Sequence, residues 1–599
     1  MAILVDRLTP ADLRTGRRVH WLLDLTFAGQ VVRLADDELD IEAEDGTTLH
    51  YHAALGDIEV SEALSLLGDS SGQGSVPVEA VLPVDVPALV ARGHSLGAAT
   101  GVLCRWVEGT VRESARTVMV GRVSDPEYGA ADEPVNFSLE EMIADDAGLM
   151  GSPLARVDGY TWAHADTLLP EHLGLQYPIV IGKPGAVSAA VDSDRWITGS
   201  AGLWIDFRST VPGGGGFGGG EQAEVRLLVA GHHCTAADVH VSTDEFPSGV
   251  RMVLRNGYDG RGQPVCFVPW FISSVPANAP DDDVDTVTYN YSTTSGSRYS
   301  LGSTEASTDA SFGDQAAQPT VYVGWYDETD GGGGLKLAGG LVRDAGPALA
   351  YVLGWTTLPV DQGRIQATYH ALSRYKIDAV IETRCKPWDW IRDNLLPLLP
   401  ITICSGPSGL FWVVWPLDAT AADATVVLDA DSEPEISRVS PVRFDTSDIA
   451  NRFTLKYAYS YRKQRHNGSI TLGAAGDAPN AADSDTTFRA HPLCTTSRAR
   501  LGYTIDREIS TVVVYDDSTA WAILENLARI YALPRRVVDY QVPEIDFVHV
   551  ERGAVVRLTD SEVGFDEQAA ILTGIKTDGS GYLVITLTIF DDPGRDLKQ

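Results

Sequence analysis

The apolar runs of this chain are short, and turn signals separate them along most of its length. Valine and threonine are frequent, whereas apolar residues at helical spacing over long windows are rare. The 58 glycines and 31 prolines supply turns between the runs. Short alternating runs bounded by Gly, Pro, Asn and Asp are typical of strands. The sequence therefore predicts a mainly β (β-rich α+β) fold with a few short helices.

The length of 599 residues exceeds what one hydrophobic core organises, so we expect a multidomain chain. Composition and strand pattern suggest five domains. They are an N-terminal β-barrel or sandwich domain at 1–165, a second β domain at 166–276, a Ser/Thr/Gly-rich insertion with long loops or hairpins at 277–370, a central α/β domain at 371–470, and a C-terminal domain with one amphipathic helix and a β meander at 471–599.

The first region combines several strands with one short helix. Strands are predicted at 18–27, 30–34, 41–44, 47–52, 78–82, 100–108 and 117–123. Asp45-Gly46 is a strong two-residue hairpin signal between two of them. Ser138 as an N-cap, with Glu140 and Glu141 in the first turn, predicts a helix at 138–144. Regularly spaced strands of this kind favour a barrel or a sandwich.

The middle of the chain carries further strands and two glycine runs. Strands are predicted near 201–207, 224–230, 265–271 and 321–325. The glycine run at 213–220 predicts a flexible loop, and Gly331 to Gly334 predict a hairpin tip. The acidic and then Ser/Thr/Gly-rich stretch from Ser273 to about Gln318 predicts a long exposed loop or an extended hairpin.

The later part of the chain holds the clearest helical signals. A short helix is predicted at 387–396, ended by Pro397, and a longer amphipathic helix at 520–533, ended by Pro534. Strands are predicted at 410–415, 451–457 and 536–542, followed by a three-stranded meander at 553–560, 569–575 and 582–590.

The net charge of −36 argues against binding to nucleic acid. Affinity for phosphate comes from clustered Lys and Arg, and the sequence has no such cluster. An acidic surface suits a soluble protein, or a channel wall along which DNA slides without binding.

The cysteines and the chain ends indicate where the protein is made. Six scattered cysteines without a C-x-x-C pair predict mostly buried, reduced thiols. No segment has the roughly 18 apolar residues that a membrane span needs. The N-terminus lacks the features of a signal peptide. We expect synthesis in a cytoplasm and release only as part of a particle.

Two motifs were weighed as reaction or metal sites. Ser70 lies in a G-x-S-x-G pattern, but the preceding apolar run is short and no helix follows, so a turn is favoured over a nucleophile elbow. His232, His233, Cys234 and His240 form a group of metal-type ligands. Neighbouring strand residues point to opposite faces, so ordinary strand positions are favoured over a metal site.

Three further patterns also favour structural roles. The acidic run from Asp281 to Asp285 lacks the spacing of a calcium-binding loop, which favours a solvated loop. The glycine run lacks the Lys-Ser/Thr of a P-loop. Four tryptophans lie in apolar runs, which favours core packing over a sugar-binding platform: Trp388, Trp390, Trp412 and Trp415. We predict no enzyme activity and no catalytic, cofactor-binding or metal residues.

Several motifs follow one another in a characteristic order. They are WLLDLTFAG within 21–51, YPIVIGKPG at 177–185, WDWI and GLFW within 388–412, DIANRFTLKY at 448–457, DDSTAWAILENLA at 516–528, and ERGAVVRLTD, ILTGI and YLVITL within 551–587. In this order they resemble the tail-hub, or baseplate-hub, proteins of long-tailed bacteriophages. The resemblance touches most of the chain.

This resemblance implies a homotrimeric structural protein of the virion tail tip. Each subunit would contribute two tail-tube-like β-barrel domains, so that three copies adapt the sixfold tail tube to a threefold tip. The expected partners are further copies of the chain, the distal tail or tail-tube protein, tip or fibre proteins and the tape-measure protein. DNA would pass through the lumen during ejection without specific binding.

Two alternative functions remain open from the sequence. The first is a tail protein that binds a host receptor or carbohydrate through the 277–340 loops, with Tyr289, Tyr291 and Tyr299 as candidate contacts. The second is a hydrolase of cell-wall or capsule polymer, which would need a pair of carboxylates in a cleft. Binding of Ca²⁺ by the 277–340 loops is also left open.

Overall fold

The structure is a computed structural model of the whole chain. It describes residues 17–27, 29–63, 75–84, 88, 92–127, 134–141, 148–151, 176–185, 197–198, 203–205, 222–243, 250–258, 263–273, 285–292, 298–306, 321–325, 333–337, 340–406, 408–446, 448–461, 463–477, 487–577 and 581–590.

Strands dominate the described residues, as predicted, and short helices separate some of them. The first strands are β1 Val19–Phe27, β2 Gln30–Ala35, β3 Leu39–Glu42, β4 Thr48–Ala53, β5 Val60–Ala63, β6 Ser75–Ala80, β7 Thr100–Val107, β8 Arg116–Glu127 and β9 Val135–Glu141. The middle strands are β10 Ile179–Ile181, β11 Ile197–Thr198, β12 Leu203–Ile205, β13 Gln222–Ala230, β14 Asp238–Thr243, β15 Val250–Val253, β16 Arg255–Tyr258, β17 Pro264–Ser273, β18 Asp285–Ser292, β19 Arg298–Ala306, β20 Val321–Gly324, β21 Lys336–Leu337, β22 Gly340–Leu341 and β23 Ala379–Ile381.

The remaining strands belong to the last third of the chain. They are β24 Ile401–Gly406, β25 Gly409–Val414, β26 Val426–Asp429, β27 Ser437–Arg438, β28 Arg443–Asp445, β29 Arg452–Ser460, β30 Arg465–Gly473, β31 Thr487–Ala490, β32 Asp506–Ser510, β33 Arg535–Pro543, β34 Val555–Asp560, β35 Phe565–Thr577 and β36 Tyr582–Ile589. The α-helices are α1 Ala345–Leu353, α2 Gln362–Ala367, α3 Tyr369–Leu372, α4 Pro387–Asn394, α5 Pro492–Leu501, α6 Asp517–Tyr531 and α7 Glu544–Phe547. No described helix has the length and apolar character that crossing a bilayer requires.

The N-terminal sheet has eight strands in the order β3-β4-β2-β1-β7-β8-β9-β6. The segment that follows β4 reaches the far edge of the same sheet: Leu55 bridges Ala80, and the Val81 N–H donates to the Ala54 carbonyl. The sheet is thereby rolled into a barrel, which agrees with the predicted barrel or sandwich. Neighbouring Leu22 and Leu23 are both fully buried, because each face of β1 packs against its own apolar cluster.

The predicted helix at 138–144 is wrong over its described residues. Residues 135–141 form β9, which pairs with β6 on one side and β8 on the other. Val135, Phe137 and Leu139 alternate into the barrel core. Two ladders of backbone hydrogen bonds and this period-2 burial outweigh the local capping signal of Ser138.

The C-terminal sheet also has eight strands. Its path is β26-β34-β35-β36-β33-β27, with β28 added on β33 and β5 on β35. The predicted meander is confirmed, since β34, β35 and β36 pair antiparallel in sequence. Strands β26 to β28 come from the predicted 371–470 domain and β5 comes from the predicted 1–165 domain, so this sheet joins segments of three predicted domains. The five-domain division stays a prediction.

The rest of the chain surrounds one large apolar core. The core runs from Met150 to Ile571 and includes α1, α4 and α6. The predicted helices at 387–396 and 520–533 are confirmed as α4 and α6. Asp516 caps α6 by accepting the Thr519 N–H at 2.8 Å. Strands β18 and β19 pair antiparallel, which agrees with the extended hairpin rather than the exposed loop among the two alternatives predicted for residues 273–318.

The second glycine run does not form the predicted hairpin tip over its described residues. Gly333 and Gly334 are buried, and the Gly334 N–H donates to the Gly182 carbonyl at 2.8 Å. A side chain on Gly334 would collide with the carbonyl of Val180. These glycines are therefore required by close backbone packing.

Gly182 itself lies at the tightest point of this packing. Its φ is +68°, and a Cβ atom here would overlap the Ile377 carbonyl and the Asp378 carboxylate. Asp378 is fully buried and accepts from Arg343 at 2.8 and 3.0 Å and from the Lys183 N–H at 2.7 Å. The YPIVIGKPG motif thus forms a closely packed backbone support rather than a binding loop.

We predict that Gly182→Ala strongly destabilises the protein. The matched control is Gly46→Ala, because Gly46 has a similar φ of +81° but no atom within 4 Å of the added Cβ. Gly46→Ala should cost only the backbone strain of about 1–3 kcal/mol. Gly182→Ala should cost several kcal/mol more in denaturant unfolding. Equal unfolding midpoints for the two variants would contradict the packing described here.

Candidate functional site at the junction of the two eight-stranded sheets

Strand β5 joins the N-terminal barrel to the C-terminal sheet. It lies between β4 and β6 in sequence, yet it pairs antiparallel with β35, with Ala63 opposite Gly574 and Val60 opposite Thr577. Val60 and Glu62 point inward, whereas Ser61 is exposed. The N-terminal chain therefore contributes both a strand and a carboxylate to the other sheet.

Glu62 carries a buried negative charge between two cations. Its side chain is 3% exposed and lies 2.6 Å from Nη2 of Arg116 on β8 and 3.3 Å from Nε of Arg552. Arg552 also donates to the carbonyl of Ala63 at 3.2 Å. A buried charge is costly unless it is paired and hydrogen-bonded, so these three residues hold both sheets to one geometry.

A second buried ion pair crosses the same junction. Arg105 on β7 and Glu544 at the start of α7 are 2% and 1% exposed, and the two side chains meet in a bidentate pair. The Nε of Arg105 lies 2.6 Å from Oε1 of Glu544. The guanidinium also lies 4.3 Å from the ring centroid of Trp21. The bidentate geometry fixes the orientation of the Arg105 guanidinium relative to the Glu544 carboxylate as well as the distance between them.

Apolar contacts and a cleft complete the junction. Val107 and Val548 are buried against each other, with Val19 and Ile545 beside them. Next to them is an open cleft of about 490 Å³. Its lining includes Arg17, Arg18, His20, Asp36, Asp37 and Glu544.

Side chains that line this cleft form hydrogen bonds and ion pairs with neighbouring groups of the protein. The ring Nδ1 of His20 lies 2.8 Å from Asp36, which also accepts the Trp21 N–H at 3.0 Å. Glu544 is held by Arg105. The arrangement is suited to fixing two sheets together, and the described lining shows no nucleophile held by a base.

Two buried groups with shifted pKa values, Asp378 and Tyr51, form contacts that stabilise the fold. Burial raises the pKa of Asp378, and Arg343 opposes that shift. Burial raises the pKa of Tyr51, whose hydroxyl donates to Asp24 at 2.7 Å. Such shifts can mark reaction sites, but here each group is an internal partner of the fold.

The histidine group was predicted to occupy strand positions, and this is right only for His240, which lies in β14. His232, His233 and Cys234 lie in the connection between β13 and β14, where they make separate contacts. His232 accepts the Val180 N–H through Nε2 at 3.0 Å, so its Nδ1–H faces the His233 carbonyl at 3.1 Å. Burial lowers the pKa of His232 to about 4, which keeps the ring neutral. His233 instead faces the carbonyl of Gly257 at 2.9 Å. Cys234 and His240 are both buried.

The remaining sequence candidates fall into two groups. Ser70, residues 281–284 and the 213–220 glycine run lie outside the described residues, whereas Asp285 begins β18. The tryptophans are core residues as predicted: Trp388, Trp412 and Trp415 are buried, and Trp390 packs partly buried against the same core. All six cysteines are free thiols, and all except Cys385 are buried.

The charged residues of the junction were missed from the sequence. The available signal was a charged residue within a strand: Glu62 at an inward position of the alternating VSEA, and Arg105 inside the buried run of TGVLCRWV. The partners could not be assigned, because Arg105 and Glu544 are 439 positions apart.

Comparisons with known proteins give structural likenesses only. No protein-family model and no curated protein matches the chain. A tail protein from Neisseria meningitidis is similar at 8% identity and a TM-score of 0.32, covering 96% of this chain and 97% of that one. A prophage tail protein from Shewanella oneidensis is similar at 8% identity and a TM-score of 0.27, covering 95% and 96%.

A third similar structure is a prophage tail protein from Listeria monocytogenes. It has 10% identity and a TM-score of 0.23, and the match covers 71% of this chain and 98% of that one. These three solved structures are therefore tail proteins of phage or bacterial origin. All three TM-scores lie below 0.5.

We predict that Glu544→Gln destabilises the protein by about 3–5 kcal/mol, because it leaves the Arg105 charge buried without a counter-charge. The matched control is Glu551→Gln, seven residues after Glu544 in the chain. This change breaks the half-exposed ion pair between Glu551 and Arg364. That change should cost at most about 1 kcal/mol. Unfolding midpoints measured in denaturant distinguish the two. A Glu544→Gln midpoint like that of the control would mean that the ion pair does not hold the junction.

Proposed function

We propose that this chain is a homotrimeric hub that closes the distal end of a phage tail tube. In this role it adapts the sixfold tube to a threefold tip and forms part of the channel for DNA ejection. The observation that carries the proposal is that one chain holds two eight-stranded sheets fixed to each other. Three chains would then place six such units around an axis.

The ordered motifs support the same proposal, because they lie in the elements that build this frame. WLLDLTF forms the last seven residues of β1, and YPIVIGKPG forms β10 and its glycine turn. GLFW lies in β25 and RFTLKY in β29. The resemblance to tail hubs is therefore carried by core segments distributed along the chain, and its order matches the order of those elements.

A trimeric ring requires a fixed angle between the two sheet units of each chain, and the junction supplies it. A ring of identical subunits closes only if each heterologous contact repeats at the same angle. Two units on a flexible linker would leave that angle free. Strand β5 and the buried pairs Glu62–Arg552 and Arg105–Glu544 hold the two sheets in one orientation.

The net charge of the chain suits this role, and the role implies particular partners. A net charge of −36 would keep the DNA backbone from adhering to the lumen wall. We propose contacts with the distal tail or tail-tube protein on one side and with tip or fibre proteins on the other. The tape-measure protein would approach from the lumen. We propose a structural, non-enzymatic role at the tail tip.

Immunogold electron microscopy tests the location. We expect gold-labelled antibody against this protein to bind intact particles only at the distal end of the tail. The control is the same antibody after incubation with excess purified protein, which should remove the label. Label along side fibres would favour the receptor-binding alternative instead. Particles without label would contradict both tail functions.

A further inference from the structure

Two histidines and two carboxylates lie close together on the β3–β4 hairpin. Tyr51 of β4 is fully buried, so the alternation of the strand turns its neighbours His50 and His52 to the outer face. The register pairs Asp40 with His50, and Leu39 with Tyr51. Glu38, one position before β3, therefore comes beside His52 on that outer face. The hairpin places four ligand-type side chains together.

The carboxylate of Glu38 lies between the two rings. Its Oε1 lies 2.9 Å from Nε2 of His50 and 3.9 Å from Nδ1 of His52. Its other oxygen accepts the Ala53 N–H at 2.9 Å, which orients the group. One ligand atom from each of the three residues lies within 4.8 Å of the others.

These separations suit a tetrahedral ion. Ligand atoms about 2.0–2.1 Å from Zn²⁺ at tetrahedral angles lie about 3.4 Å apart. The two measured separations, 2.9 and 3.9 Å, lie on either side of that value. The third pair of ligand atoms, one from each histidine, lies within 4.8 Å.

A fourth residue provides the support that zinc ligands usually have. Asp40 Oδ1 lies 2.9 Å from Nδ1 of His50, on the opposite side of the ring from Glu38. A carboxylate that accepts the Nδ1–H fixes the tautomer in which Nε2 is free to bind a metal. The strand pairing on both sides of β4 holds the backbone beneath the group.

We propose that Glu38, His50 and His52 bind a divalent transition-metal ion, with Zn²⁺ as the best match, and that Asp40 positions His50. Two imidazoles and one carboxylate are a ligand set for Zn²⁺, and three protein ligands leave a position for water. The ion would clip the start of β3 to β4 at the edge of the N-terminal barrel. This group is not visible in the sequence, because only the hairpin register brings Glu38 beside the His-x-His pair.

Zinc binding to the full-length, tag-free protein tests the proposal. The protein is stripped with a chelator and titrated with Zn²⁺ against a chromophoric competitor at a pH of about 8, above the ordinary imidazole pKa of about 6.5. We expect one tightly bound Zn²⁺ per chain. His50→Asn and His52→Asn should each weaken binding at least about tenfold, and Asp40→Asn by about 10–100-fold through loss of orientation.

The matched control is His370→Asn, which removes an exposed histidine of α3 and should leave the affinity unchanged. Thermal unfolding without metal verifies that each variant is folded. A second measurement uses Co²⁺, whose visible absorption is intense in a tetrahedral protein site and weak in water. The proposal is wrong if the wild-type chain binds no Zn²⁺, or if His50→Asn and His52→Asn bind it as the wild type does.

Discussion

The buried charges at the junction are the constraint on which the rest of the structure depends. Glu62, Arg552, Arg105 and Glu544 are each almost fully removed from solvent. Moving a single charge of this kind out of water costs several kcal/mol, and only a close, well-directed partner offsets it. The pairs are therefore satisfied in one relative orientation of the two eight-stranded sheets. A small rotation of either sheet would separate both pairs.

The backbone pairing of strand β5 with β35 fixes the same orientation of the two sheets. Its four residues leave the N-terminal barrel, join β35, and return to the barrel through β6. The side chain of Glu62 then reaches Arg116 on the barrel side and Arg552 on the other. Sheet pairing and ion pairing thus reinforce each other. In the proposed ring of three chains, this junction would keep the angle between the two sheet units the same in every chain.

The local parts of this fold could be predicted from the sequence. The Asp45-Gly46 hairpin, α6 and the β34–β36 meander each depend on signals within a few residues, and each is confirmed. The helix expected at 138–144 is wrong over its described residues. There, a capping signal competes with two neighbouring strands whose presence the local sequence does not reveal.

The functional surfaces could not be predicted in the same way. The partners Arg105 and Glu544 are separated by 439 positions, and the pairing of β5 with β35 joins chain segments about as far apart. The Glu38, His50 and His52 group is closer in sequence, but it depends on the register of one hairpin. Charged residues at inward strand positions were visible in the sequence, and only the fold supplied their partners.

The most direct test of the hub account is a cryo-electron microscopy reconstruction of the purified 599-residue chain. The account predicts particles of three times the 64.4 kDa chain mass, with six sheet units around a threefold axis and an open channel. The two units of one chain should be joined through β5. Monomeric particles, or a closed ring in which the two sheets of a chain are separated from each other, would contradict it.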